Sequence, residues 1–426
     1  MIFSFRYLMR CLTFSDSWKE LDACDVLFIS HENDKRFLFR GKFYAPIMDS
    51  VARYFNDVDT ESLTKGIGCI SKHKVYSGAK TYSRRWVLNK LASIILGNLS
   101  KDDTCYFRLQ VKFWNQVLDK ATPKAIIIVQ ADEALCFACY QRGIRIYDFQ
   151  HGVITDSMPM YGRDFQQGKP KELLPTGYLC WDLDSCDVIN RWSVDKGITA
   201  HHIGNPWLTR FFIKSNDDLL VNEEVNKITS LFDGNTSLNI LVTLQWGLSS
   251  CYPNYFSGSE CIHSELVKAI RKTKHVNWFV RLHPVQLNNE KVRDEIFSIF
   301  SDFENVEIER STSMPFPLLL TLMDAHVTWD SSSVIEANYV KIPSFVLNPG
   351  YFSELQTPVK MRNEVKVKEP LPYSSLCYSN TVTRSKCSPD IEQILNWILR
   401  VSKSESTNYN GYLDEKLLRS IVLGRD

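Results

Sequence analysis

Short apolar runs alternate along most of this chain with longer stretches in which apolar positions recur at helical spacing. The first run, Asp25-Val26-Leu27-Phe28-Ile29-Ser30, predicts a buried strand. Helical spacing follows near 42–56, at 85–97 and over 106–118. Ala125-Ile126-Ile127-Ile128-Val129 then predicts a β-branched strand, 132–141 a helix, and Ile144-Arg145-Ile146-Tyr147-Asp148-Phe149 a second strand. Gly143 suits the end of that helix. Such a strand–helix–strand unit has parallel strands. Gly177-Tyr178-Leu179-Cys180-Trp181 predicts a further strand, 186–196 a helix, and Ile203-Gly204-Asn205-Pro206 a turn.

Residues 213–236 break the rhythm. They are mostly polar, as in Lys214-Ser215-Asn216-Asp217-Asp218 and Asp233-Gly234-Asn235-Thr236, with one short helical stretch near 221–231. The alternation then restarts. Strands are predicted at 238–244, 276–282, 306–308, 325–329 and 344–347, and helices near 260–273, 289–301, 316–323 and 332–340. Alternating strands and helices predict α/β domains with doubly wound parallel sheets. The expected organisation is one Rossmann-like domain over 1–212, a linker at 213–236, a second Rossmann-like domain over 237–388, and C-terminal helices in 389–426 that pack back on the first domain.

Composition narrows the class. The chain has 426 residues, enough for two separate cores, and is 44% hydrophobic and 23% charged. A net charge of +1 gives no global field for nucleic acid. The N-terminal residues Met1 to Arg10 are apolar but interrupted by Arg6 and Arg10, unlike a signal peptide, and no run of 18 uncharged apolar residues occurs. The twelve cysteines are scattered, which fits a reducing compartment, and the expected location is cytoplasmic. Only Cys136 and Cys139 form a C-x-x-C pair, and their apolar helical setting favours two buried thiols over a metal or redox centre.

Ligands of open α/β sheets sit at the carboxyl ends of the strands. In the second half three such ends carry polar groups. Gln245-Trp246-Gly247-Leu248-Ser249-Ser250 is a small loop, and Gly247 lets backbone N–H groups approach a phosphate. Arg281-Leu282-His283-Pro284 places an imidazole at a strand tip in a direction restricted by proline. Asp330-Ser331-Ser332-Ser333 loads a helix start with hydroxyls, suited either to phosphate or to simple capping by Asp330 or Ser331, and Glu336 follows within reach of ribose hydroxyls. In the first half, Gln150-His151-Gly152 follows a strand, Thr155-Asp156-Ser157 adds a carboxylate, and Asp132-Glu133 follows another strand. His151, Asp132, Asp156 and Glu133 are the acid/base candidates, each equally suited to a cap or turn.

His283-Pro284 and Ser331-Ser332-Ser333 resemble the paired HP and SS motifs of GT-B glycosyltransferases that use cytidine-nucleotide donors. These include sialyltransferases, Kdo transferases and CDP-glycerol glycerophosphotransferases, and Gln150-His151-Gly152 resembles an HG element found in several of them. The resemblance implies a GT-B fold, two Rossmann-like domains with parallel sheets facing across a cleft. It implies a metal-independent transfer of a nucleotide-activated sugar to a glycan or lipid-linked acceptor in bacterial surface polysaccharide assembly, as in O-antigen or capsule. His283, Pro284, Arg281, Ser331, Ser332, Ser333, Glu336 and Gly247 would bind the donor nucleotide, and His151, Asp132 or Asp156 would act at the acceptor. No cofactor beyond the donor substrate is expected. The sequence departs from the sialyltransferase pattern in having no clear acidic D/E-D/E-G triplet in its first half, which puts sialic acid in doubt.

Two further features compete with this reading. Asp182-Leu183-Asp184 spells a D-x-D, a metal-binding spacing, but it also stands where a helix cap belongs. Lys72, Lys74, Lys80, Arg84, Arg85 and Lys90 cluster with Tyr76, Tyr82 and Trp86, a composition suited to an anionic membrane surface or to a solvated face, and less well to nucleic acid. A nucleotide-sugar epimerase of the same shape, a CDP-polyol phosphotransferase and a non-catalytic nucleotide-binding protein remain as alternatives, because fold does not fix function.

Overall fold

A computed structural model describes residues 16–31, 37–65, 79–100, 104–213, 217–228, 238–256, 262–287, 289–349, 357–361, 364–368, 381–385, 388–401 and 411–424. The chain divides into two compact units. Unit 1 comprises residues 1–207 and 412–426, and unit 2 residues 208–411.

Among its described residues unit 1 contains nine strands: β1 (Val26–Ser30), β2 (Phe37–Phe39), β3 (Lys42–Tyr44), β4 (Thr60–Thr64), β5 (Lys80–Thr81), β6 (Ala125–Ile128), β7 (Arg145–Phe149), β8 (Gly177–Cys180) and β9 (Thr199–His202). β2 and β3 form an antiparallel hairpin. The other seven form one sheet in the order β5-β4-β1-β6-β7-β8-β9, parallel throughout. Both faces are covered, so β1 and β6 are buried along their whole length. Alternate residues feed different cores. Val26, Phe28, Ala125 and Ile127 face one, and Leu27, Ile29, Ile126 and Ile128 face the other. The first core is completed by the helix Glu415–Leu423, which supplies Leu418 and Val422. Tyr147 donates from its hydroxyl to Ile421 O at 2.9 Å, and Arg419 pairs with Asp57 at 2.6 Å, fastening that helix to unit 1.

Unit 2 contains β10 (Asn239–Thr243), β11 (Asn277–Arg281), β12 (Val306–Glu307), β13 (Ala325–Thr328), β14 (Ser344–Val346), β15 (Thr357–Met361), β16 (Glu364–Lys368) and β17 (Val382–Arg384). Six of them form a parallel sheet in the order β12-β11-β10-β13-β14-β17, and β15 and β16 pair antiparallel. Ile240, Val242, Trp278, Val280, Ala325, Val327 and Phe345 share a core with Ile394, Trp397 and Ile398 of the helix Ile391–Ile398.

Several elements escaped the hydrophobic pattern. Residues 42–56 are not one helix but the strand β3, the helix Pro46–Ala52 and a 3-10 turn at Arg53–Phe55. β4 reads Thr-Glu-Ser-Leu-Thr and β9 Thr-Ala-His-His, too polar to signal strands, because each lies toward an edge of the sheet. Gly143 caps its helix with φ of +67°, a left-handed conformation that suits glycine.

Candidate active site

Each sheet reverses its strand order beside its first strand. In unit 1 the crossover leads to β4 on one side of β1 and to β6 on the other, and in unit 2 β11 and β13 flank β10 in the same way. The crevice outside the strand ends at such a reversal is the usual ligand site of an open α/β sheet.

In unit 1 that crevice is a cavity of about 510 Å³. It is lined by Ser30 and His31 beyond β1, Lys65 beyond β4, Gln130 to Glu133 beyond β6, and Asp148 within β7. Tyr82, Trp86, Tyr106 and Gln110 supply one wall. Asp132 stands at its rim as the cap of the helix Glu133–Arg142, accepting from Leu135 N at 2.9 Å. Its carboxylate also accepts from Trp114 Nε1 at 3.0 Å. Asp132 is solvent-accessible where it lines the cavity. Its carboxyl is nonetheless crowded by protein, and this desolvation raises its pKa against the opposing pull of its hydrogen bonds and of Lys65.

Asp148 lies deeper, only 3% exposed. It accepts from Gln130 N and Ala131 N, both at 2.9 Å, and the Tyr161 hydroxyl lies 3.4 Å away. Burial pushes its pKa up to about 7, with these hydrogen bonds and the nearby His151 working the other way. Gln130 has a left-handed φ of +63°, uncommon for a non-glycine residue. The two bonds from Asp148 therefore pin the strained turn that presents Asp132.

The remaining first-half candidates sit differently. His151 is half-buried, its ring centroid 4.9 Å from that of His31. Gln150 is internal, donating to Gly152 O and Ser185 Oγ and accepting from Trp181 N. Gly152 has no positive φ, and open space surrounds the position a side chain would take there. Asp156 pairs with Arg191 at 3.3 Å and Arg163 at 3.9 Å and is not among the residues that line the cavity. Glu133 lines it but is paired with Lys169 at 2.7 Å.

In unit 2 the strand ends are tied together. Asp330 N donates to Gln245 Oε1 at 2.8 Å, and Gln245 Nε2 donates back to the Asp330 carboxylate at 2.7 Å. The Tyr252 hydroxyl and Asn348 Nδ2 donate to the same carboxylate. Asp330 thus clamps the ends of β10, β13 and β14 and does not cap the following helix Ser333–Tyr339; Ser333 N instead meets Ser331 Oγ at 3.3 Å. Ser333 turns inward, its hydroxyl 2.8 Å from Thr243 Oγ1 and 3.2 Å from His326 Nε2. His326 is fully buried, also meets Ser344, and has its pKa driven down to about 3 by desolvation. Ser331 is half-buried and Ser332 exposed.

His283 is positioned from its own backbone outward. His283 N donates to Gln286 Oε1 at 2.7 Å, and Gln286 Nε2 donates to Gln245 O at 2.9 Å. Val285 N donates to His283 Nδ1 at 3.2 Å, so a neutral imidazole carries its proton on Nε2, ready to donate. Pro284 opens the short helix Pro284–Leu287, and the Trp246 ring, 59% exposed, lies 6.4 Å from the His283 ring. Gly247 has φ of +73°, with open space around it. Arg281 spends its guanidinium on Ser311 O and Met314 O and lies over the Phe316 ring. Desolvation lowers the Arg281 pKa to about 10 and raises that of Glu336 to about 7, and each charge favours the other.

No family model and no curated protein matches this chain in sequence. Solved structures do match in shape. The UDP-GlcNAc 2-epimerase of Neisseria meningitidis bound to UDP-GlcNAc superimposes with a TM-score of 0.54 at 13% identity, over 94% of this chain and 100% of the other. The UDP-GlcNAc 2-epimerase of Methanocaldococcus jannaschii gives 0.54 at 12% identity, over 93% and 99%. This chain has a GT-B-like fold. At such identity the likeness establishes architecture alone.

The other motifs resolve structurally. Asp182 caps the helix Leu183–Ser193 by accepting from Ser185 N at 2.7 Å. Cys136 and Cys139 are buried, and desolvation raises both thiol pKa values, that of Cys139 to about 12. Lys72, Lys74 and Tyr76 lie outside the described residues. Tyr82 and Trp86 turn toward the cavity, Lys90 lies over the Trp86 and Tyr106 rings, and Arg84 faces solvent. Among the described residues no helix is long and apolar enough to cross a membrane.

The sequence pattern passed over Lys65, Gln110, Asp148 and His31. Two of them left a signal. Asp148 is a charge inside an otherwise apolar strand, and Gln110 occupies a buried helical face continued by Phe113, Trp114 and Val117.

Proposed function

We propose that the protein is a metal-independent glycosyltransferase acting on a nucleotide-activated sugar, with the nucleotide held at the strand ends of unit 2 and the acceptor in the cavity of unit 1. The observation that carries this reading is Asp132, an exposed residue whose carboxyl has a raised pKa, in a cavity at the strand-order reversal. A general base works best with a pKa nearer the working pH than an ordinary carboxylate provides. The acceptor oxygen attacks the anomeric carbon and its proton passes to Asp132. The bond between that carbon and the phosphate oxygen breaks, and the nucleotide leaves with the electron pair. His31 lines the same cavity, with the His151 ring beside it. In unit 2, His283 Nε2 and the Ser331 and Ser332 hydroxyls are the proposed partners of the nucleotide and its phosphate, with Trp246 beside them. The HP and SS resemblance favours a cytidine nucleotide and a role in surface polysaccharide assembly.

A second reading, a nucleotide-sugar epimerase, draws support from the likeness in fold to the two epimerases. The test is calorimetry with CMP, CDP, UDP and GDP on the wild type, His283→Ala and a Ser331→Ala/Ser332→Ala double variant, followed by NMR of bound nucleotide-sugars. Nucleotide binding that both variants lose supports the donor assignment. Conversion of a nucleotide-sugar to a second sugar nucleotide with no acceptor present replaces transfer by epimerisation, and absence of any nucleotide binding ends both readings.

A peripheral seat on an anionic inner membrane face is also proposed. The helix Ser83–Ser100 exposes Leu88, Ile94 and Ile95 along with Arg84. Full recovery in the soluble fraction at low salt, unchanged by Arg84→Glu, would remove this idea.

A further inference from the structure

Beside the candidate active site, unit 1 carries a second recess. It is an open groove of about 320 Å³ between the helices Cys105–Ala121 and Glu133–Arg142. On the first helix Phe107 and Val111 stand one turn apart, and Arg108 and Lys112 form the adjoining ridge. Phe137 of the second helix meets Phe107, their ring centroids 5.6 Å apart. The three apolar side chains are half-buried and the two basic ones exposed. The fully buried face of the first helix is a different one, made by Phe113, Trp114, Val117 and Leu118. The groove is thus apolar surface with a cationic rim, lying outside the core.

The rim charge is not offset from within the helix. The positions three and four residues from Lys112 hold Arg108, Leu109, Asn115 and Gln116. The next carboxylate along the helix, Asp119, is paired with Arg142 at 2.7 Å, and Arg142 also donates to Asn115 Oδ1 at 2.8 Å. Phe107 lines this groove and the cavity of Asp132 alike, so the two recesses share a wall. Size narrows the occupant. A stable protein partner buries about 800 Å² on each side, far more than three half-buried apolar side chains offer, whereas the groove volume lies at the lower end of small-ligand pockets. An apolar floor suits a hydrocarbon chain, and a guanidinium beside an ammonium suits phosphate oxygens. We propose that this groove holds the lipid end of the acceptor, its chain on Phe107, Val111 and Phe137 and its phosphate against Arg108 and Lys112. The inference rests on the assignment of the acceptor to unit 1 and names the part of it that lies outside the cavity.

The test uses the full chain and three probes, butyl phosphate, octyl phosphate and octyltrimethylammonium, each monomeric in solution. Calorimetric titrations are run beside a nucleotide titration. Octyl phosphate is expected to bind at least about tenfold more tightly than butyl phosphate, because the added methylenes leave water. It should also bind more tightly than the cation with the same chain. Lys112→Glu, a change at an exposed position, should weaken octyl phosphate by about fivefold, the most that a surface ion pair usually gives, and leave nucleotide affinity unchanged. Phe137→Ser should remove the gain from the longer chain, with the melting temperature read alongside; if that variant unfolds, Lys112→Glu decides alone. Equal binding of butyl and octyl phosphate overturns the lipid assignment. Equal or tighter binding of octyltrimethylammonium, or no effect of Lys112→Glu, overturns the phosphate seat. A chain-length gain that persists in folded Phe137→Ser overturns the location. Binding to phosphatidylglycerol vesicles with none to monomeric octyl phosphate overturns the groove in favour of a bilayer contact. If nucleotide binds and octyl phosphate does not, this inference falls while the donor reading stands; if octyl phosphate binds and nucleotide does not, the groove stands as a lipid site and the transferase reading falls.

Discussion

The carboxyl ends of the two sheets share one strand order and are finished in opposite ways. In unit 1 the reversal beside β1 opens onto a cavity of about 510 Å³, with Asp132 at its rim and Lys65 in its wall. In unit 2 the reversal beside β10 is closed by the Asp330 carboxylate, which takes donors from Gln245, Tyr252 and Asn348, and the void lined there by Gln245, Thr328 and Trp329 is only about 20 Å³. The difference separates two ways of building a site. An open cavity lined by polar groups keeps its binding capacity inside the fold and gives up stability for it. A satisfied clamp holds the strand ends still, so that the loops above them carry His283, Ser331 and Ser332 in fixed directions.

Changes at these two places should therefore have different signatures. The largest effect is expected from Asp132→Asn, which should lower turnover by about 10²–10⁴-fold, the usual contribution of a general base. Asparagine also caps helices well, so the melting temperature should hardly move. Turnover within a few-fold of wild type would remove the catalytic role and leave Asp132 a cap.

Next comes Asp330→Ala, which orphans several buried donors at once and should destabilise unit 2 by about 3 kcal/mol in urea unfolding. A loss under about 1 kcal/mol would show that the clamp is not what holds these strand ends.

The pH dependence of stability gives the third contrast. Asp148 has a folded pKa of about 7, above its ordinary 3.8, so its contribution to stability is full below about pH 4 and is lost as pH rises through 7. His326 has a folded pKa of about 3, below its ordinary 6.5, so its contribution is full above 6.5 and is lost as pH falls toward 3. Each pKa unit between folded and unfolded states is worth about 1.4 kcal/mol. Glu336, raised from 4.5 to about 7, has the same sign as Asp148 and opposes His326 within unit 2. Difference curves between wild type and Asp148→Asn, and between wild type and His326→Asn, should slope in opposite directions with pH. Parallel slopes would contradict the environments described for these two groups.

The smallest effect is the most diagnostic. Gln110→Leu removes the buried amide beside the Tyr106 phenol and should change the stability of unit 1 by no more than about 1 kcal/mol, the net worth of one hydrogen bond. A larger loss would mean that this amide holds the cavity wall together.

Much of the architecture is legible in the sequence. Long apolar runs such as 125–129 and 238–244 marked central strands because a parallel sheet covered on both faces needs apolar residues in succession. β4 and β9 were illegible because strands toward an edge tolerate the polar residues they contain. The site was legible only as a set of positions. Asp132 and His283 were singled out because they follow strands, and both do stand at strand ends. Which polar groups turn outward could not be read in the same way. Ser331, Ser332 and Ser333 are equivalent as letters, yet Ser333 is absorbed into a network with Thr243 and His326, residues distant in sequence and adjacent only across β10 and β13.

The sequence by itself determined the alternation of strands and helices, the polar break near residue 213 and the glycine that ends the helix Glu133–Arg142, because these depend on local periodicity and local backbone conformation. Only the tertiary structure decided that Lys65, Gln110, Asp132 and Asp148 line one cavity, that Asp330 clamps strands where a cap was expected, and that the Asp148 carboxyl titrates near 7. Each of these depends on desolvation and on partners brought from other strands, and neither is encoded in the spacing of neighbouring residues.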